Sequence, residues 1–242
     1  WGHINKDYSM LTYVQSILLD GHMIMEHAAR NRSGRFFNFS GTAGIWRRAA
    51  IEDAGGWQHD TLTEDLDLSF RAQLEKWKFV FVPEVETPAE LPVEMNGYKS
   101  QQHRWVKGSM QTSKKLLGDV AKAPLPFHVK SEALMHLTGN TAYLLMFILM
   151  GLMFPVAYFR PRIAMQDSAL LDLIAFVSAT VSVCIFYLLA QWELYGFRKI
   201  LKTLMYIPLV LSVGIGMCVS NARAVLSGLL FGMGGEFVRT PK

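Results

Sequence analysis

The chain has 242 residues, 51% of them hydrophobic and only 18% charged, with a formal net charge of +4. So small a charged share points to a protein that meets a bilayer. Its cations gather beside apolar runs, between Lys99 and Lys130 and at Arg198, Lys199 and Lys202, and no basic stripe interleaved with exposed aromatics is present to favour nucleic acid.

The sequence opens on Trp1, with no basic, apolar, cleavable leader, and reads as a piece of a longer protein. Cys184 and Cys218 each sit in an apolar run, as small buried hydrophobes. They define neither a disulfide framework nor a metal-ligand spacing.

In chain order, Asn5 to Asn31 predicts one long helix whose Leu11, Val14, Leu18 and Met25 face a core. His22, Glu26 and His27 hint at a metal cluster. However, His27 is turned about 100° from the face shared by His22 and Glu26, and no third ligand is evident, so a polar exposed or interfacial face is the better reading. Phe36 to Trp46 is aromatic and β-prone, then small and Gly-rich, which predicts a strand entering a tight turn. Gly41 and Gly44 allow close approach of a backbone to another group, although an ordinary turn explains them equally well. A short helix from Arg47 to Ala54 stops at Gly55-Gly56, with Trp57 as a packing anchor.

Thr63 is a plausible N-cap for a helix over Glu64 to Lys76, with Leu66, Phe70 and Leu74 as its buried stripe. Asp65 and Asp67 cannot both join that stripe and are expected to approach solvent or a ligand. Acids in a first helical turn also suit the helix dipole without any chemistry. Lys78 to Pro83 predicts a short strand, and the Pro-rich Glu84 to Pro92 a loop. Val93 to Leu117 predicts a helix bent or broken near Gly97 and Gly108. It places Gln101, Arg104 and Trp105 on one face. A guanidinium grips phosphate oxygens in bidentate fashion, and an indole offers a flat face to a sugar ring. Trp105 at a lipid boundary, with Arg104, Lys107 and Lys114 towards headgroups, is the other reading, and both can hold together.

Two membrane spans are predicted, at about 133–159 and 169–192, joined by a short linker as a hairpin whose flanks both lie in the cytoplasm. A third apolar block, about 204–233, holds Pro208 and an Asn-Ala-Arg interruption, and a re-entrant or interfacial path suits it better than a crossing. The tail 234–242 carries paired glycines, an aromatic, a hydroxyl and a cation, either as a mobile loop able to reach an anion or as a basic juxtamembrane tail.

Taken together, T-E-D at Thr63 to Asp65, Q-x-x-R-W at Gln101 to Trp105, the membrane hairpin and the terminal F-V-R-T-P-K resemble the membrane-embedded family-2 glycosyltransferases, cellulose synthases and mannan synthases among them. The resemblance implies an α/β fold. Residues 1–118 would form the second half of a GT-A catalytic domain, and 119–242 α-helical transmembrane and interfacial segments. It implies that Asp65 is the general base, supported by Thr63 and Glu64, and that Gln101 and Arg104 contact the donor diphosphate while Trp105 stacks on the acceptor sugar. Asn38 to Thr42 is similar to the family's acceptor motif, which assigns Phe39, Ser40, Gly41 and Thr42 to the acceptor, although the first aromatic and a cysteine of that motif are replaced. Phe237, Thr240 and Lys242 match a gating loop that closes over the nucleotide, with Thr240 and Lys242 on the donor and Arg239 in place of a valine.

The activity so implied is inverting transfer of a hexose from a UDP- or GDP-sugar to a growing β-linked polysaccharide at the cytoplasmic face of the inner (plasma) membrane. One carboxylate suffices for a single displacement, unlike the pair used in glycoside hydrolysis. The resemblance also implies a divalent cation, Mg or Mn, whose D-x-D ligands lie in a nucleotide-binding first half outside these residues. The 242 residues alone are then expected to be inactive. Polymer-export subunits are candidate partners. The competing readings are a non-processive transferase acting on a lipid carrier and a non-catalytic membrane subunit.

Overall fold

A computed structural model describes residues 2–41, 43–159 and 169–232. The first helix, α1 (Met10–Asp20), starts at Met10 rather than at the expected Asn5 because Ser9 and Thr12 form a capping box. Ser9 Oγ accepts from the Thr12 amide at 3.2 Å, and the Ser9 amide donates to Thr12 Oγ1 at 2.9 Å. The helix runs on through a π-helical segment, Gly21–His27, into α2 (Ala28–Arg32). At Gly21 a Cβ would lie 2.8 Å from the rings of Phe186 and Tyr187, so glycine there lets a later helix press against the wider turn. His22 pairs with Glu26 at 2.9 Å. His27 is buried, and desolvation with nearby cationic groups pushes its imidazole down to about 2. These side chains therefore go to a hydrogen bond and a core position.

After α3 (Arg48–Asp53) comes α4 (Glu64–Leu74), which ends two residues earlier than its pattern suggested, with Lys76 at φ 69°. The long helix α5 (Met95–Lys122) follows, and is one unbroken element of 28 residues. Gly108 does not break it. A Cβ there would lie 2.7 Å from Thr63 Cγ2 and 2.8 Å from the Thr63 nitrogen, so the glycine admits the start of α4. α6 (Phe127–Thr138) then folds back. Leu66 and Phe70 of α4, Leu116 and Val120 of α5, and Val129, Ala133 and Leu137 of α6 form one core with Phe36. Burying each large side chain there stabilises the fold by about 1.5–3 kcal/mol.

No strand forms among the described residues, whose one pairing is a parallel bridge between His3 and Ala89. The two expected strands are extended but unpaired. At 36–40 the side chains of α4 take the backbone groups that a ladder would use. The Phe37 amide donates to Gln73 Oε1 and the Phe39 amide to Ser69 Oγ, each at 2.8 Å, while Gln73 Nε2 donates to the Phe37 carbonyl at 2.7 Å. At 78–83 the period of two holds. Phe79 and Phe81 turn in towards Phe37, at 5.6 and 5.8 Å between ring centroids, and Val80 and Val82 turn out, with no strand alongside among the described residues.

Three helical stretches are long and apolar enough to cross a membrane, Thr141–Phe159, Asp172–Tyr195 and Phe197–Leu230. The first, α7 (Thr141–Phe159), begins later than expected, because Ala133 and Leu137 belong to the α4–α6 core and the chain breaks at Gly139-Asn140. The second coincides with α8 (Ala169–Tyr195) apart from its start. Its end is tied to α1 through buried Asp20, which accepts from Gln191 Nε2 at 2.7 Å and pairs with His3 at 2.9 Å. The third divides into α9 (Ile200–Gly216) and α10 (Cys218–Leu230) after a short 3-10 turn. Val210, Val213 and the intervening Met217 pack against Tyr13, Val14 and Ile17 of α1. Ala224 and Val225 of α10 pack against Val106 and Met110 of α5.

Candidate active site

Thr63 holds the N-cap position of α4, but its hydroxyl does not cap the helix. It lies 3.2 Å from Thr112 Oγ1 on α5 instead. The first turn is capped locally by Asp65, whose Oδ1 accepts from the Leu66 amide at 2.8 Å. Its Oδ2 accepts from the Gly41 amide, also at 2.8 Å. Gly41 has φ +57°, a conformation that turns its N–H towards the carboxylate and that favours glycine. Two backbone donors would hold such a carboxyl low, yet burial outweighs them and, with Glu64 close by, raises it above the usual carboxylate range.

Arg104 lies within electrostatic reach of this turn. Burial pushes its guanidinium down, and the carboxylates of Glu64 and Asp65 oppose that shift, so the three charges share one neighbourhood. The spacing explains why. Arg104, Gly108, Gln111, Thr112 and Lys115 recur at helical intervals down one stripe of α5, and this stripe meets the acidic turn. Gln101 is half-buried one turn before Arg104. Trp105 is 38% exposed, leaving part of its indole open.

The other expected residues divide. Phe39 is buried at 7% exposure, its ring 5.3 Å from Trp46 and against Gly44, where a Cβ would come within 2.6 Å of it. It therefore supports the turn from below rather than facing a sugar. Ser40 is half-buried, its carbonyl accepting from the Ala43 amide at 3.0 Å, and Gly41 is exposed beside Asp65. Thr42, Phe237, Thr240 and Lys242 lie outside the described residues.

Asp67 does not approach solvent as expected. It is fully buried, paired with Arg71 at 2.7 Å and with the Lys115 ammonium at 3.0 Å. Lys115 also reaches Gln58 at 2.6 Å and Asp60 at 2.8 Å, and Arg71 bonds the Ala54 and Gly56 carbonyls. The Asp67–Arg71 spacing on α4 was a readable signal for the first pair. Nothing local announced Lys115 or Gln111. A cavity of about 570 Å³ lies elsewhere, between Ile24, Arg32, Glu84 and Trp192, and includes none of the residues around Asp65.

An acid at a helix start, set against a guanidinium and a half-open indole and next to helices fit to cross a membrane, is an arrangement suited to sugar transfer at a bilayer. Residues 6–219 match the model of glycosyl transferase family group 2, and the chain belongs to that family. Among curated proteins it is similar to two rice (Oryza sativa subsp. japonica) proteins. It is 44% identical over 120 residues to probable glucomannan 4-beta-mannosyltransferase 11 and 39% identical over 122 residues to probable glucomannan 4-beta-mannosyltransferase 4. It is 42% identical over 120 residues to glucomannan 4-beta-mannosyltransferase 1 of Cyamopsis tetragonoloba. Each match takes in 50% of this chain but only 21–23% of the relative's length. No solved structure matches the chain.

Proposed function

We propose that the chain is the acceptor-side part of an inverting, membrane-bound glycosyltransferase that moves a hexose from a nucleotide sugar to a growing β-linked glycan. The observation that carries this reading is the Asp65 carboxylate, aimed by the Gly41 and Leu66 amides and sharing its surroundings with Arg104. Asp65 takes the proton as the acceptor oxygen attacks the anomeric carbon of the donor, and the bond to the diphosphate breaks in the same displacement. Arg104 offsets charge on the departing diphosphate, with Gln101 beside it, and Trp105 stacks on the acceptor sugar. The names of the similar mannosyltransferases favour mannose as the transferred hexose, and the family resemblance favours UDP or GDP as its carrier. Thr240 and Lys242 close over that donor in the same reading.

In the whole protein the extended segments 36–40 and 78–83 take places in the sheet of a GT-A domain. The catalytic part faces the cytoplasm, and polymer-export subunits are candidate partners. The divalent cation that the family uses finds no fit here: among the described residues no three His, Cys, Asp or Glu side chains converge as a metal site. No step is therefore assigned to it.

The test is Asp65→Asn in the full-length protein. Loss of a positioned base lowers turnover by about 10²–10⁴-fold, while donor binding persists because the diphosphate contacts are untouched. Wild-type turnover by the variant rejects Asp65 as base.

A further inference from the structure

Gln111 is fully buried in α5, about two turns beyond Arg104 on the same stripe. Its amide joins two segments that no sequence pattern connects. Oε1 accepts from the amide of Leu62, the residue before Thr63, at 3.1 Å, and Nε2 donates to the carbonyl of Gly232, just past the end of α10, at 3.3 Å. A buried amide is costly when unpaired, so both partners are held.

The packing on either side leaves little slack. The acidic turn lies directly on Gly108, where a Cβ would be 2.9 Å from the Leu62 carbonyl carbon. Across the helix, α10 lies on the same turns of α5 through Gly228, where a Cβ would be 2.7 Å from Met110 Cβ and 2.8 Å from the Lys107 carbonyl oxygen. Lys114 Nζ adds a bond to the Leu229 carbonyl at 3.3 Å, beside Gln111.

We infer that Gln111 is a positioning residue that ties the turn carrying Asp65 and the end of α10 into one register on α5. The inference deepens the reading of Asp65 as the base and rests on it for its catalytic consequence. The bridge itself rests on the geometry alone. Through it, the place where the chain leaves α10 and the turn carrying the carboxylate are each bonded to the same buried amide.

Two substitutions in the full-length protein, held in detergent micelles, separate the halves of the bridge. Gln111→Met has similar length and removes both bonds. Gln111→Glu keeps an acceptor for the Leu62 amide and loses the donor to Gly232. Amide hydrogen exchange is followed in residues 60–66 and 229–232, together with transfer kinetics per folded protein.

With Met, exchange in both segments is expected to rise by about ten-fold, the scale of one lost hydrogen bond, and kcat to fall by a similar factor at unchanged donor KM. With Glu, faster exchange is confined to 229–232 and kcat returns to within about two-fold of wild type, because the acceptor for the Leu62 amide is retained. The inference is overturned if Met speeds exchange in neither segment or in only one of them, or leaves kcat unchanged. Should Met not fold, Glu decides alone: faster exchange in 229–232 only supports the bridge, and any other pattern rejects it. Failure of Asp65 as base shows instead in the Asp65→Asn rates and leaves the exchange result standing.

Discussion

Asp65 is pulled in two directions, and the balance has a kinetic consequence. Its two backbone donors favour the ionised carboxylate, whereas burial, the larger effect, and Glu64 favour the neutral acid. A base works only when unprotonated, so activity is lost as pH falls through the raised value. The acid limb of kcat/KM is therefore expected above 3.8, the ordinary value for this carboxyl. A pH–rate profile of the full-length enzyme checks this, and a limb at or below that value removes burial as the dominant effect. The same residue shows how much a motif conveys. T-E-D named the acid but gave no partner for it, and Gly41, more than twenty residues earlier, supplies one through a backbone conformation that the acceptor-like segment only hinted at. Phe39, in that same segment, went to the core instead, because its ring fills the space under Gly44.

At the scale of elements, α5 is the axis of the molecule. One stripe meets the start of α4, another α10, and its later turns meet α6. The contact with α4 is held by charges as well as packing, since Asp67 is buried between Arg71 and Lys115. Asp67→Ala leaves two mostly buried cations facing each other and should destabilise the fold by about 3–5 kcal/mol. Thermal unfolding followed by tryptophan fluorescence measures this, and a loss below about 1 kcal/mol would assign the network to the surface class. Helical periodicity read α5, α4 and the short α3 correctly to within a few residues, because each has an apolar stripe and a local stop or start. It read Gly108 as a bend or break, and the helix is unbroken there. A glycine required by a neighbour's close approach looks the same in sequence as one that breaks a helix, and only the position of Thr63 distinguishes them.

For the whole molecule, α7 and α8 expose apolar surfaces long enough to cross a bilayer. Leu149, Phe154, Ile174 and Phe176 are each more than half exposed, and α7 alone reaches roughly 29 Å at 1.5 Å per residue. If the two cross as a hairpin, Leu170 at the start of α8 faces the side opposite to Arg198. Single cysteines placed at Leu170 and at Arg198, with Cys184 and Cys218 replaced, should then react with a membrane-impermeant thiol reagent from opposite sides of sealed vesicles. Labelling of both from one side overturns the hairpin. The block 197–230 is also long and apolar enough to cross, and its buried residues pack on α1 and α5.

Local chemistry settled what could be settled locally. Apolar length marked the membrane helices, periodicity marked the amphipathic ones, and the ordered set of acid, guanidinium and indole indicated the family to which residues 6–219 belong. Where an apolar residue ends up was beyond it. Ala133 and Leu137 read as the start of a span, yet they lie in the core, because apolar character is the same whether lipid or protein covers it. Nor could it tell a paired strand from an extended segment whose amides are taken by helix side chains, as Gln73 and Ser69 do for Phe37 and Phe39. Those outcomes depend on which distant groups the fold brings to a hydrogen bond or a surface, and only the packed chain decides that.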